Sequence, residues 1–120
     1  MEPLNLAAVE IKAFVPARNF ELSKEFYVAL GFTLASSEDG IVYFHCGNSS
    51  FLLQDFFVRE HAENFQMHLL VESVDDWHEH IKAKGIAERF DVALGEPEDR
   101  PWAMRDFTLI DPCGVLWRIA

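Results

Sequence analysis

The sequence is short of cysteine, of basic residues and of long apolar runs, and each shortage excludes a class of protein. Only Cys46 and Cys113 are present among 120 residues, and they fit neither a disulfide framework nor a zinc-binding spacing. No apolar run approaches the roughly 18 residues that a membrane span needs, and no basic segment followed by an apolar core opens the chain. We therefore expect a cytoplasmic protein that is neither exported nor embedded in a membrane.

The shortage of basic residues leaves the chain strongly acidic. Ten Lys and Arg stand against twenty Asp and Glu, which gives a formal net charge of −10 at pH 7. Such a field repels nucleic acid and anionic membrane surfaces and attracts a cationic ligand. Acidic surfaces also serve solubility alone, so the charge by itself identifies no ligand. Nucleotide chemistry is unsupported as well, because neither a Gly-x-Gly-x-x-Gly motif nor a P-loop occurs.

What the chain does contain is apolar residues for a packed core, arranged twice in the same order. Half of the residues are hydrophobic and eleven are Phe. One predicted helix begins at the cap Asn19 and ends at Gly31, and a second begins after Ser73 and ends at Gly85. The predicted strands cover residues 8–15, 32–36, 41–46, 51–57, 66–72, 86–94, 105–110 and 115–119. The pattern therefore predicts an α+β fold in which the order βαβββ occurs twice.

The final segment predicts a hairpin. Asp111, Pro112 and Gly114 occupy the first, second and fourth positions of a type I turn. The strands on either side alternate, with Phe107 and Leu109 on one face before the turn and Trp117 on one face after it.

This doubled pattern resembles the vicinal-oxygen-chelate superfamily, which includes glyoxalase I, extradiol dioxygenases, fosfomycin-resistance thiol transferases and bleomycin-resistance proteins. The resemblance rests on Phe26-Tyr27-x-x-Leu30-Gly31-Phe32, Val74-Asp75-Asp76 and Asp111-Pro112-x-Gly114, in this order. It implies one domain over residues 1–120, with a first module at about 7–57, an exposed linker at 58–65 and a second module at about 66–120. It also implies that each module curls its strands into an open cup, with helices outside and the ligand on the concave face.

Strand alternation places Glu10, His68 and Arg118 opposite the apolar face, so we expect them to share the concave surface. If Gln54 points the same way, four strands each contribute one polar side chain there. The resemblance implies that these are the metal positions, where the metal enzymes carry His, Glu, His and Glu. A guanidinium cannot ligate a metal, and Gln is a weak donor. We therefore expect no metal, no cofactor and no catalytic residue, and we expect Glu10 to pair with Arg118.

The last segment resembles bleomycin-resistance proteins in particular, through Trp102, Arg105, Asp106, Phe107 and the Asp-Pro-x-Gly turn. Those proteins are acidic dimers that sequester cationic glycopeptide antibiotics in clefts between subunits, without modifying them. The resemblance therefore implies a non-catalytic homodimer that binds a small molecule and serves antibiotic resistance. The alternative is a metal-dependent lyase or isomerase of the glyoxalase type, a thiol transferase or a dioxygenase.

Aromatic side chains are the candidates for lining that cleft, because flat ligand rings stack on exposed rings. We expect Trp102 and Phe56 first, and Phe44, Phe65 and Phe14 after them, with core packing as the alternative for each phenylalanine. The acidic loop 96–99 beside Trp102 is the candidate for meeting a cationic group. His78 and His80 are expected on a solvated helix face.

Overall fold

A computed structural model describes residues 3–120 and contains two four-stranded mixed sheets with helices packed on them. The elements are β1 Phe14–Ala17, α1 Phe20–Leu30, β2 Thr33–Glu38, β3 Ile41–Cys46, β4 Ser49–Asp55, α2 Arg59–Glu63, β5 Gln66–Leu69, α3 Val74–Ala83, α4 Ile86–Phe90, β6 Glu98–Asp99, β7 Arg105–Ile110 and β8 Leu116–Ile119. The strand orders are β1-β4-β3-β2 and β5-β8-β7-β6. In each sheet one parallel pair, β1 with β4 and β5 with β8, lies beside antiparallel pairs. The predicted α+β class and its repeated strand order are confirmed.

Both predicted helix caps form. The side-chain oxygen of Asn19 accepts a hydrogen bond from the Leu22 N–H at 3.2 Å, and that of Ser73 accepts one from the Asp76 N–H at 3.2 Å. Gly31 ends α1 with φ at +125°, a conformation that other residues rarely adopt. Within the described residues, no helix is both long and apolar enough to cross a membrane.

One aromatic core joins the two halves of the chain. The Tyr27 ring from α1 lies 4.9 Å from the Phe51 ring of β4 and 5.5 Å from the Trp117 ring of β8, measured between ring centroids. The Tyr27 hydroxyl donates a hydrogen bond to Asp111 at 2.5 Å and accepts one from the Trp117 indole at 2.8 Å. Asp111 in turn accepts hydrogen bonds from the backbone N–H groups of Cys113 and Val115. The first helix and the final hairpin are thus tied together through buried polar groups.

Two predicted segments differ from the structure. Residues 86–94 do not form a strand: α4 covers Ile86–Phe90, because Ile86 and Phe90 are four residues apart and both face the core. Only the short stretch after α4 approaches β7, where Leu94 bridges to Leu109. The segment 58–65 is exposed at most positions, as expected, but it also forms the short helix α2, which buries Ala62.

The first predicted strand is also shorter than expected. β1 begins at Phe14, and residues 3–13, called here the N-terminal arm, form no strand. Its large apolar side chains are almost fully exposed, with Leu4 at 85%, Leu6 at 86%, Val9 at 98% and Ile11 at 95%. The radius of gyration is 15.7 Å, whereas a compact chain of this length has about 14 Å. The arm therefore adds apolar surface that this chain does not bury.

Candidate functional site

A cavity of about 330 Å³ lies between the N-terminal arm, the start of β4 and strand β5. Phe32, Phe51 and Trp117 form its floor and are almost fully buried. Glu10 and His68 both line it. The structure therefore brings two of the four predicted polar residues to one cavity, whose volume lies within the range of small-molecule sites.

Glu10 is held by the first sheet. Its carboxylate accepts hydrogen bonds from Lys12 at 2.9 Å, from the Tyr43 hydroxyl at 2.7 Å and from the Ser50 hydroxyl. These bonds, with the one from Ser50 contributing most, lower the pKa of Glu10 to about 2. The carboxylate is therefore ionised throughout the physiological range. The expected pairing of Glu10 with Arg118 is wrong, because each residue is bound within its own half of the chain.

Arg118 belongs to a charge cluster on the second sheet. One guanidinium nitrogen of Arg118 lies 3.2 Å from an oxygen of Asp106, and Arg100 binds the same oxygen through two nitrogens at 2.9 Å. Burial of Asp106, which is 1% exposed, opposes its ionisation, but the two guanidinium groups outweigh burial and lower the pKa of Asp106. The carboxylate is thus a fixed anion beneath two cations.

These residues do not fit a metal ion. Gln54 lies opposite Ile41 and Pro16 on the first sheet and does not line the cavity with Glu10 and His68. Across residues 3–120 no three His, Cys, Asp or Glu side chains are grouped closely enough to hold a metal. Arg118, which lies opposite His68 on the second sheet, carries a permanent positive charge and cannot ligate a metal.

The structure separates the five aromatic candidates. Phe44 is fully buried on the core side of β3 and stacks on Phe51 at 5.4 Å, so its expected place in a cleft is wrong. Phe65 is half-buried and packs against the core. Phe14, Phe56 and Trp102 remain exposed at 48%, 49% and 64%. Phe14 also lies in one row with Leu52 and Tyr43 across the solvent-facing side of the first sheet.

Trp102 stands at the tip of the hairpin that joins β6 to β7. The Arg100 N–H donates to the Met104 carbonyl at 2.6 Å, and the Ala103 N–H donates to the Arg100 carbonyl at 3.1 Å. Ala103 takes a φ of +64° in this turn, where a non-glycine residue is strained. The loop is therefore closed by its own backbone, and its indole ring is left in solvent.

The acidic loop beside Trp102 is partly neutralised by cations of the same chain. Glu98 pairs with Arg100 at 2.9 Å and Asp99 with Arg105 at 3.2 Å. Asp75 binds Arg105 as well, at 2.9 Å. Acids still outnumber arginines in this region, but a ligand cation would have to share carboxylates with them.

The two histidines of α3 do not lie on a solvated face as expected, because His78 is buried and His80 is half-buried. His78 is 6% exposed, packs edge-on against Phe107 at 5.0 Å and hydrogen-bonds to the Gly95 carbonyl at 3.1 Å. His80 reaches the Leu30 carbonyl at the end of α1, at 2.9 Å. Both are structural residues, and only tertiary packing reveals their partners.

The sequence of this chain identifies its family. Residues 9–119 match the family model of the Glyoxalase/Bleomycin resistance protein/Dioxygenase superfamily. The chain belongs to this superfamily. A search of curated proteins found no significant match.

Solved structures of other proteins share the fold at low sequence identity. A bleomycin-binding protein complexed with bleomycin is 22% identical, with a TM-score of 0.80 over 93% of this chain and 97% of its own. An antibiotic binding protein from Streptomyces sp. CB03234 is 23% identical, with a TM-score of 0.76 over 96% and 97%. Lactoylglutathione lyase from Agrobacterium tumefaciens is 15% identical, with a TM-score of 0.68 over 94% and 92%. At these identities the similarity establishes the fold alone.

Proposed function

We propose that this superfamily member is a non-catalytic binding protein that sequesters a cationic or aromatic small molecule in a cleft of a homodimer. One observation carries the proposal: a chain of net charge −10 leaves three large aromatic side chains outside its core, namely Phe14, Phe56 and Trp102. Exposed aromatic rings stack on flat ligand rings, and an acidic field attracts cationic groups.

Trp102 is the principal ligand contact in this proposal. The indole is exposed at the tip of the hairpin, and the hydrogen bonds within the turn fix the backbone that presents it. A ring presented in advance loses little conformational entropy on binding. Phe56 and Phe14 would extend the stacking surface, and Glu10 and His68 would contribute polar contacts from their cavity.

The homodimer is supported by the apolar surface of the N-terminal arm. Burying one Leu, Val or Ile side chain contributes about 1.5–3 kcal/mol, so burial of Leu4, Leu6, Val9 and Ile11 would contribute at most roughly 6–12 kcal/mol per chain. Two chains would together bury enough to offset the estimated 4–15 kcal/mol of freedom lost on association. Strands β1 and β5 each pair with one neighbour only, which leaves sheet edges for a partner.

The structural neighbours support the ligand class. Two of the structures with this fold are described as proteins that bind bleomycin or an antibiotic. Bleomycin is therefore the first ligand to test, and antibiotic resistance is the proposed biological role. The cytoplasmic location stays a prediction from the sequence.

The test is a calorimetric titration of the metal-free protein with bleomycin at low and moderate salt. We expect saturable binding at one site per chain that weakens as salt rises, because an acidic field is screened. Trp102→Ala should abolish most of the heat. Val28→Ala is the control, since it truncates a 53% exposed apolar side chain on α1, outside the proposed cleft.

Three results would contradict the proposal or a part of it. Bleomycin that emerges from the complex with a changed mass would show catalysis, and a monomer in light scattering at micromolar concentration would exclude the shared cleft. Equal loss of binding in Val28→Ala and Trp102→Ala would show that the indole has no particular role.

A further inference from the structure

Three side chains form a row across the solvent-facing side of the second sheet. Arg118 on β8 lies opposite His68 on β5 and opposite Thr108 on β7. Residues paired in this way project from the same face, within reach of one ligand group. The opposite face of these strands is the core, where Phe107, Leu109 and Trp117 are buried.

The guanidinium of Arg118 is fixed along one edge and open along the other. Its Nη1 atom contacts Asp106, which is buried and already bound twice by Arg100. Among residues 3–120 no other acceptor lies within hydrogen-bonding distance of the Arg118 guanidinium, and its side chain is 34% exposed. A planar, permanently charged fork with unused N–H donors is thus held in place on the sheet.

We propose that Arg118, flanked by His68 and Thr108, forms a subsite for an oxyanionic group of the ligand, such as a carboxylate or a sulfonate. Two N–H donors of one guanidinium match the two oxygens of such a group. The Thr108 hydroxyl and a ring nitrogen of His68 supply further hydrogen-bonding groups on either side. This inference rests on the proposed function, since it adds a second recognition element to the ligand that Trp102 is proposed to stack on.

The acidity of the whole chain does not oppose such a subsite. Long-range charge is screened over about 8–10 Å at physiological salt, so the nearest groups decide. Asp106 is the only carboxylate that contacts the Arg118 guanidinium within the described chain, and Asp106 shares its charge with Arg100. Arg118 is therefore incompletely neutralised locally, although the net charge of the chain is −10.

The test compares two probes of equal shape, 2-naphthoate and its uncharged amide 2-naphthamide. Both are titrated into the full ¹⁵N-labelled chain, and two NMR signals are followed in the same spectra: the Arg118 Nε–H and the Trp102 indole N–H. We expect naphthoate to shift the Arg118 signal saturably and to bind roughly tenfold more tightly than naphthamide. Arg118→Gln should abolish that preference, and Arg118→Lys should restore only part of it, because the charge remains but the fork is lost.

Arg89→Gln is the matched control, because it removes the same charge from the exposed surface of α4. An Arg118 signal that does not move, or a naphthoate preference that survives in Arg118→Gln, would overturn the inference. If only the Trp102 signal moves with both probes, the subsite is wrong while the proposed aromatic cleft stands. If only the Arg118 signal moves, the subsite stands and the aromatic cleft is wrong.

Discussion

Replacing Tyr27 by phenylalanine should destabilise the protein strongly, although only one oxygen atom is removed. That hydroxyl donates to the buried carboxyl of Asp111 and accepts from the buried indole of Trp117. Without it the indole N–H has no partner, which costs about 1–3 kcal/mol, and Asp111 loses a bond worth about 1.5–3 kcal/mol. Because Asp111 keeps two backbone donors, we expect a net loss of about 3 kcal/mol in the free energy of unfolding.

The assay is urea unfolding followed by circular dichroism at pH 7. The midpoint should fall while the slope with urea stays unchanged, since the surface exposed on unfolding is the same. Burial raises the pKa of Asp111 above its usual 3.8, and the Tyr27 hydroxyl partly offsets this effect. A carboxyl whose pKa is raised by folding destabilises the native state as it ionises, so stability falls as pH rises from 3.8 through the raised value. Tyr27→Phe should therefore lower the free energy of unfolding more at pH 7 than near pH 4.

Tyr43→Phe is the matched control. It deletes the same atom from a side chain that donates to Glu10 on the solvent-facing side of the first sheet, where water replaces the lost bond. Equal losses in the two variants, or a loss below about 1 kcal/mol in Tyr27→Phe, would refute the reasoning about buried partners.

Three further predictions test the site, the arm and a helix end. Ser50→Ala should raise the Glu10 pKa from about 2 towards 4.5, read from its carboxyl NMR signal; an unchanged value would show that Ser50 is not the main donor. Since folding lowers that pKa, the stability it contributes is present above pH 4.5 and is lost as pH falls towards 2. Changing Val9 and Ile11 to Asp should give a folded monomer in light scattering, and a persisting dimer would exclude the arm from the interface. Gly31→Ala should cost about 1–2 kcal/mol in thermal unfolding, because its φ is +125° although the space would admit a methyl group; an unchanged midpoint would contradict this.

Local signals in the sequence predicted most of the fold. Helix caps and turns depend on hydrogen bonds over three or four residues, so the local sequence is enough to predict them. This holds for the caps Asn19 and Ser73 and for the Asp111–Gly114 turn. The short apolar run at residues 86–94 is compatible with both the helix and the strand periodicity, so the sequence alone could not exclude the predicted strand. Packing against the core selects a helix there. Residues 8–13 alternate as a strand would, but alternation does not reveal that the arm leaves the sheet.

The site was less predictable, because it depends on contacts between residues far apart in the chain. Strand alternation in the sequence predicted that Arg118 and His68 lie on one face, and in the structure the two residues are opposite each other on neighbouring strands. Nothing in the sequence marked Asp106 as the partner of Arg118, since the contact depends on how β7 pairs with β8. Phe44 lies in the core and not in a cleft, and the sequence could not separate it from the exposed Phe14 and Phe56.

The Tyr27 hydroxyl also bears on how the chain folds during its synthesis. Its two partners, Asp111 and Trp117, lie 84 and 90 residues further along the sequence. In a nascent chain that has emerged only as far as β4, the Tyr27 hydroxyl can therefore bond only to water, and the aromatic rings around it lack Trp117. Closure of the core must wait until the last strand has left the ribosome, and until then the first half exposes surface on which chaperones or aggregation act.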